Sequence, residues 1–133
     1  MAGTARKTRS LRHSTRRIVA AVVPPVDEFD LVGPLQVFNS VNRLAGRPIY
    51  SIEVVTTGER LTVEGEGGVL TFLARHHFSK VEGVCDSVLL ACGVGTRSAR
   101  NSALSAWLKT MAAKLRRLGL CVPLLFCSRK RAC

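Results

Sequence analysis

The chain has 133 residues, 47% of them apolar, and a formal net charge of +11. This length is enough for one domain with a single hydrophobic core. No apolar run reaches the roughly 20 residues that a membrane-spanning helix needs. The basic N-terminus is followed by a short apolar run and then by prolines, unlike a secretory signal. We therefore expect a cytoplasmic protein that does not enter a membrane.

The positive charge is concentrated at the two ends of the chain. Residues 129–131 are Arg-Lys-Arg, and residues 1–17 contain no acid but carry Arg6, Lys7, Arg9, Arg12, Arg16 and Arg17. We predict that residues 1–16 form a disordered basic tail. One alternative function is therefore an adaptor that binds nucleic acid through phosphate contacts. No aromatic residue lies in either end, so stacking on bases is not indicated.

The first predicted unit is a strand, a loop and an amphipathic helix. Residues 18–23 form an apolar run typical of a parallel strand that is covered on both faces, and Pro24-Pro25 end it. Helical spacing then links Leu31, Leu35, Phe38 and Val41. We predict Asp30 as the N-cap, Pro34 within the first turn and Gly46 as the C-terminal stop.

Strands and helices continue to alternate along the rest of the chain. We predict a strand at 49–57, short extended pieces at 61–64 and 69–73 around a glycine-rich connector, and a buried strand at 86–91. A short helix is predicted at 78–82 and a longer one at 98–117. This order predicts an α/β fold, a parallel sheet with helices on both faces. Ligands of such sheets bind at the carboxyl ends of strands near a topological switch point, here the loops at 24–30 and 92–95.

Metal and cofactor sites are not indicated. His76 and His77 are adjacent, so their side chains point in different directions and are poor joint ligands. The five cysteines are odd in number and fit no zinc spacing, and reduced thiols are the default without a signal peptide. We expect no metal and no cofactor.

The segment Phe29-Asp30-Leu31-Val32-Gly33-Pro34-Leu35-Gln36-Val37-Phe38, followed by Asn42-Arg43-Leu44-Ala45-Gly46-Arg47-Pro48, resembles a known family. It looks like the first βα unit of the ThiJ/PfpI branch of the class I glutamine amidotransferase-like superfamily. Within that branch it most resembles the sensor domain of AraC-type bacterial transcriptional regulators. The resemblance implies a flavodoxin-like parallel sheet, incomplete in this chain, over residues 17–117.

The resemblance also implies a pocket. Asp30 matches an acid that packs beside a cysteine on a strained turn, and backbone N–H groups of Gly93 and Gly95 match the pocket wall. Val94 separates two glycines that are often adjacent in the family. Cys121 falls at about the place of the cysteine, but Pro123 stands where the turn needs a small residue with a free N–H. We therefore expect no catalytic residue, and Asp30 could equally be a simple N-cap.

Residues 118–133 depart from the family pattern, and we predict an aberrant, non-family tail. A shift of one base in a plausible coding sequence for residues 127–133 would read Leu-Leu-Ala-Glu-Ala-Gly-Leu, the continuation expected after the turn. Our hypothesis is therefore a truncating frameshift.

The resulting prediction is an inactive fragment of a sensor domain. In an intact relative the domain would bind a small-molecule effector or a protein partner, and it would reach DNA only through a helix-turn-helix domain that this chain lacks. A homo-oligomer is compatible with the sequence. The alternative is a small ThiJ/PfpI cysteine hydrolase or hydratase-like enzyme that uses Cys121 with Asp30.

Overall fold

The computed structural model describes residues 14–96 and 101–121. Its centre is a five-stranded sheet in the order β5-β2-β1-β6-β7, in which every neighbouring pair is parallel. The five strands of this sheet are β1 (Arg16–Val23), β2 (Tyr50–Thr56), β5 (His76–His77), β6 (Ser87–Cys92) and β7 (Arg117–Cys121). A separate antiparallel hairpin is formed by β3 (Thr62–Glu64) and β4 (Thr71–Leu73).

One helix covers each face of the sheet, as the sequence predicts. Helix α1 (Glu28–Ala45) packs on one face, where Leu31 and Leu35 join a core cluster that includes Ala20 and Val22 of β1. Helix α2 (Ser102–Ala112) packs on the other face, where its core residues and their neighbours are Val19, Ala21, Val55, Phe78, Cys85, Val88, Leu104 and Met111. Alternate residues of β1 therefore enter two different cores, which explains its unbroken apolar sequence.

The first helix begins earlier than predicted. Asp27, not Asp30, is the N-cap, and its carboxylate accepts hydrogen bonds from the amides of Phe29 and Asp30 at 2.9 and 3.3 Å. Because α1 starts at Glu28, Pro34 lies in the helix interior and not in its first turn. The predicted stop at Gly46 is confirmed, since this residue takes the left-handed conformation with φ 63°.

The second helix is shorter than predicted, and a strand replaces its predicted end. Asn101 caps α2 by accepting a hydrogen bond from the Leu104 amide at 2.9 Å, and the helix ends at Ala112. Arg117 begins β7, which pairs with β6. The predicted domain boundary between residues 117 and 118 therefore falls inside this strand. Of the tails predicted at 1–16 and 118–133, residues 1–13 and 122–133 lie outside the described residues, whereas Arg16 begins β1 and residues 118–121 belong to β7.

The glycine-rich stretch forms a hairpin turn, and the histidines lie on a short edge strand. Residues 65–68 connect β3 to β4, as the connector prediction requires. His76 and His77 form β5, which pairs with the end of β2. A 3₁₀ turn at Phe78–Lys80 stands in place of the short helix predicted at 78–82.

Candidate functional site

The order in which strands are added to the parallel sheet reverses between β1 and β6. From β1 the chain runs outward to β2 and β5, and it then returns to the opposite side of β1 to form β6 and β7. Such a reversal opens a crevice at the carboxyl ends of the two central strands. Residues 24–27 leave β1 at this edge, and residues 93–96 leave β6 beside them. We call the space between these loops the switch-point crevice.

Three acidic residues follow β1 into the crevice wall. Asp27 caps α1, while Glu28 and Asp30 lie in the first helical turn. The Asp30 side chain is half-buried, and its Oδ2 atom has almost no contact with solvent. The structure therefore places Asp30 at the edge that the sequence predicts, as part of the first turn and not as its cap.

The β3–β4 hairpin lies over the same edge. The Val26 amide donates to the Glu64 carbonyl oxygen at 3.0 Å, and the Glu66 amide donates to the Val26 carbonyl oxygen at 2.8 Å. The Gly67 amide donates to Oε1 of Glu28 at 3.1 Å. The hairpin turn is thus tied to the residues that lead from β1 into α1.

The side chain of Glu66 crosses the crevice from this turn. Its Oε1 atom accepts a hydrogen bond from the Gly95 amide at 2.8 Å. A Cβ atom at Gly93 would lie 2.6 Å from the Glu66 carboxyl group and from the Pro25 carbonyl oxygen, so a glycine is required there. We call the Glu66–Gly95 contact the Glu66 latch. It joins the hairpin to the loop after β6, 29 residues away in sequence.

The two backbone amides that the resemblance assigns to the pocket are both engaged within the chain. The Gly93 amide donates to the Thr96 hydroxyl at 3.1 Å, and that hydroxyl donates to the Gly93 carbonyl oxygen at 2.9 Å. The Gly95 amide is held by the Glu66 latch. A ligand that used the Gly95 amide would have to displace Glu66.

The backbone of Cys121 reaches the same edge of the sheet. It is the last residue of β7, and its register partner on β6 is Ala91, two residues before Gly93. The side chain of Cys121 lies outside the description, as does Pro123. The structure therefore brings Asp30, Gly93, Gly95 and the Cys121 backbone to one edge of the sheet. The amides of Gly93 and Gly95 donate hydrogen bonds to Thr96 and Glu66 there.

The two histidines make local contacts. The His76 ring lies 3.5 Å from Oε2 of Glu53, and Nδ1 of His77 lies 2.7 Å from the Ser79 hydroxyl. Within residues 14–96 and 101–121, no three histidine, cysteine or acidic side chains are arranged to hold a metal ion.

Solved structures with this fold come from two kinds of protein. No family model and no curated protein sequence matches the chain. An AraC family transcriptional regulator from Pseudomonas putida superposes with a TM-score of 0.65 at 15% identity over 79% of this chain and 63% of that protein. A ThiJ/PfpI family protein from Pseudomonas syringae superposes with a TM-score of 0.66 at 19% identity, over 90% of this chain and 48% of that protein.

The fold is that of the ThiJ/PfpI proteins. A candidate transcriptional regulator from Vibrio parahaemolyticus has it too, with a TM-score of 0.67 at 15% identity over 80% of this chain and 56% of that protein. The chain thus spans about half to three-fifths of the length of these three solved structures. No helix in the described ranges is long and apolar enough to cross a membrane.

Sequence reasoning missed Glu28 and Glu66. Glu66 stands between Gly65 and Gly67, in the turn predicted as a connector. Both glycines face Glu28, and a Cβ at Gly65 would collide with that side chain. A single glutamate flanked by glycines is therefore the sequence signal that could have indicated a loop against which another side chain packs closely.

Proposed function

We propose that the switch-point crevice is the effector-binding site of a sensor domain of the AraC regulator type. The Glu66 latch carries this proposal, because an incoming ligand can replace a single side-chain acceptor of a backbone amide. Glu66 is exposed in the β3–β4 turn, whereas Val63 of the same hairpin is buried in the core, so a rotation of the Glu66 side chain alone would release the Gly95 amide. The resemblance of residues 29–48 and the AraC family structure from Pseudomonas putida support the same role.

The groups around the latch indicate the chemistry of the effector. A ligand that displaces Glu66 must offer an acceptor oxygen to the Gly95 amide. It would meet the carboxylates of Glu28, Asp30 and Glu66, which favour a cationic group. We therefore propose a small zwitterion as the effector class.

The proposal is tested by titrating the ¹⁵N-labelled chain with three sets of probes. These are amino acids, the corresponding amines without a carboxylate, and carboxylic acids without an ammonium group. We expect saturable shifts of the Gly67, Gly93 and Gly95 amide signals with at least one amino acid, and much weaker shifts with its two half-analogues. Shifts confined to other parts of the chain, or equal responses to all three sets, would contradict the proposed site.

We further propose that this chain alone has no regulatory output. The two helices of the described part are separated by strands and form no helix-turn-helix unit. DNA recognition would then reside in another domain. We expect any DNA binding by this chain to be independent of sequence and to disappear as salt is raised. Salt-resistant discrimination between an operator and a random duplex, measured by fluorescence anisotropy, would contradict this part.

A cysteine-dependent hydrolase is the second candidate. The observation that favours it is the register of β7, which brings the Cys121 backbone to the carboxyl edge beside Gly93. Hydrolysis of an activated ester that is lost in a Cys121→Ser variant would favour this enzyme over the sensor. Unchanged background hydrolysis in that variant would exclude it.

A further inference from the structure

A second cavity lies at the edge of the sheet opposite the switch-point crevice. It encloses about 340 Å³, a volume typical of sites that bind small molecules. Four of its lining residues are each the first residue of a strand: Arg16 of β1, Tyr50 of β2, Ser87 of β6 and Arg117 of β7. Because these strands are parallel, their amino ends meet at one edge. We call this space the amino-edge cavity.

The inside of the amino-edge cavity is apolar and partly aromatic. Ile18 of β1 and Leu89 of β6 line it on the face of the sheet that α1 covers. Phe38 of α1 and Tyr50 of β2 form an aromatic wall, with their ring centroids 4.9 Å apart and their planes at 68°. The aromatic ring of a ligand can pack against this wall and lose its contact with water.

The side chain of Asn42 fixes this wall. Its Oδ1 atom accepts hydrogen bonds from the amides of Ile49 and Tyr50, both at 2.8 Å, and its Nδ2 atom donates to the Tyr50 carbonyl oxygen at 2.8 Å. These three bonds join α1 to the start of β2, so the wall is formed before a ligand arrives. A preformed site loses less conformational freedom on binding.

Two exposed arginines line the cavity without a partner of opposite charge. Within residues 14–96 and 101–121, neither the Arg16 nor the Arg117 guanidinium group forms an ion pair. A guanidinium group can bind a carboxylate through two parallel hydrogen bonds. The lining therefore combines an apolar interior with two cationic groups.

One acidic residue, Asp86, also lines the cavity, and its charge is already balanced. Its Oδ1 atom lies 3.7 Å from Nη1 of Arg116, and its Oδ2 atom accepts a hydrogen bond from the Ser87 hydroxyl at 2.9 Å. The positive charges of Arg16 and Arg117 are therefore left for a ligand, which favours an anion.

We propose that the amino-edge cavity binds an aryl carboxylate. The aromatic ring lies against Phe38 and Tyr50, and the carboxylate pairs with Arg16 and Arg117. This site is independent of the switch-point crevice, whose acidic residues favour a cationic group. Because the ring and the negative charge are both required, a neutral aryl alcohol and a carboxylate without a ring should each bind more weakly.

The test is a titration of the ¹⁵N-labelled full chain with phenylacetate. The comparison probes are phenylethanol, which lacks the charge, phenethylamine, which reverses it, and acetate, which lacks the ring. We expect saturable shifts of the Tyr50, Ser87 and Gly119 amide signals with phenylacetate, and binding at least about tenfold weaker for each comparison probe. The Gly93 and Gly95 signals, which report on the crevice, should not move.

Two variants and a matched control locate the charge. Arg16→Gln and Arg117→Gln should each weaken phenylacetate binding about fivefold, and the double variant should bind it no better than phenylethanol. Arg47→Gln removes an exposed arginine that precedes β2 and does not line the cavity. Its affinity for phenylacetate should therefore equal that of the wild type.

Selective binding of phenylacetate that depends on Arg16 and Arg117 and not on Arg47 would support the site. Equal binding of phenylacetate and phenylethanol would overturn the proposal, as would an equal loss in the Arg47 variant or no response at any soluble concentration of the probe. Nuclear Overhauser contacts of the Phe38 ring with residues 122–133 or with a second copy of the chain, seen in the free protein, would also overturn it, because the cavity would then be filled.

Discussion

The Asp27 side chain determines where the first helix begins. Its carboxylate satisfies the amides of Phe29 and Asp30, which have no partner within the helix. Replacing Asp27 with alanine should therefore cost about 1 kcal/mol of the free energy of unfolding, measured by urea denaturation. Asp27→Asn keeps the acceptor oxygen and should stay near the wild type. An equal loss in both variants would show that capping is not the source of the stability.

The burial of Cys85 should make the stability of the folded state depend on pH. The thiol is 2% exposed, and burial raises its pKa; the Arg17 charge lowers it and the Glu53 charge raises it. Because the unfolded chain loses this proton first, the folded state should lose stability as the pH rises above about 9.

The measurement is the slope of the unfolding free energy against pH, for the wild type and for Cys85→Ala. The wild type should fall more steeply above that pH, and its Cys85 should react with iodoacetamide only slowly. Parallel slopes for the two proteins would contradict a raised pKa at Cys85.

Single residues also show what the sequence could and could not predict. Gly46 was predictable, since a glycine after a helical pattern is the common left-handed stop. Asp27 and Asp30 were not distinguishable, because both precede the apolar positions of α1 and both can cap. The choice depends on which residue leaves helical geometry after the Pro24-Pro25 loop, and spacing alone does not determine that.

Glu53 on β2 centres a charged cluster that joins β1 to β2 and approaches β5. Oε1 of Glu53 accepts from Nε of Arg17 at 2.7 Å, and Oε2 faces the His76 ring; the Glu53 side chain is 12% exposed. Hydrogen bonds to charged groups contribute about 1.5–3 kcal/mol, and the partial exposure of Arg17 lowers this toward about 1 kcal/mol.

Glu53→Gln should therefore lose about 1 kcal/mol of the free energy of unfolding. It should also speed hydrogen exchange in β5 and in the end of β2. The matched control is Glu59→Gln, an exposed glutamate in the following loop. Equal exchange rates in the two variants would mean that the cluster does not hold β5.

The elements that sequence analysis misplaced depend on distant pairing. Strand β7 contains Gly119 and begins at Arg117, where basic residues also suit a helix end, yet it pairs along its whole length with β6. A Cβ at Gly119 would lie 2.9 Å from Leu89, so the glycine fits the neighbouring strand. Strand β5 has only two residues and is defined by its pairing with the end of β2. Strand β1 and helix α1 were predictable, because their apolar patterns are local and long.

For the molecule as a whole, the topology was more predictable than the site. Alternating strands and helices predicted a parallel sheet, and the order of its strands places the crevice where the two central strands end. The Glu66 latch could not be predicted from the sequence, since it joins Glu66 to a glycine 29 residues later. Only the folded chain brings the hairpin turn over the loop after β6.

The central claim is that Glu66 closes the switch-point crevice, and hydrogen exchange tests it most directly. The protein would be compared with Glu66→Gln, which weakens the acceptor, and with Glu64→Gln, an exposed neighbour on β3. We predict faster exchange in the Glu66 variant at residues 65–70 and 93–96, with unchanged protection in β1 and β6 and no change in the Glu64 variant. Identical exchange in all three proteins, or equal loosening by both substitutions, would contradict a closed crevice held by Glu66.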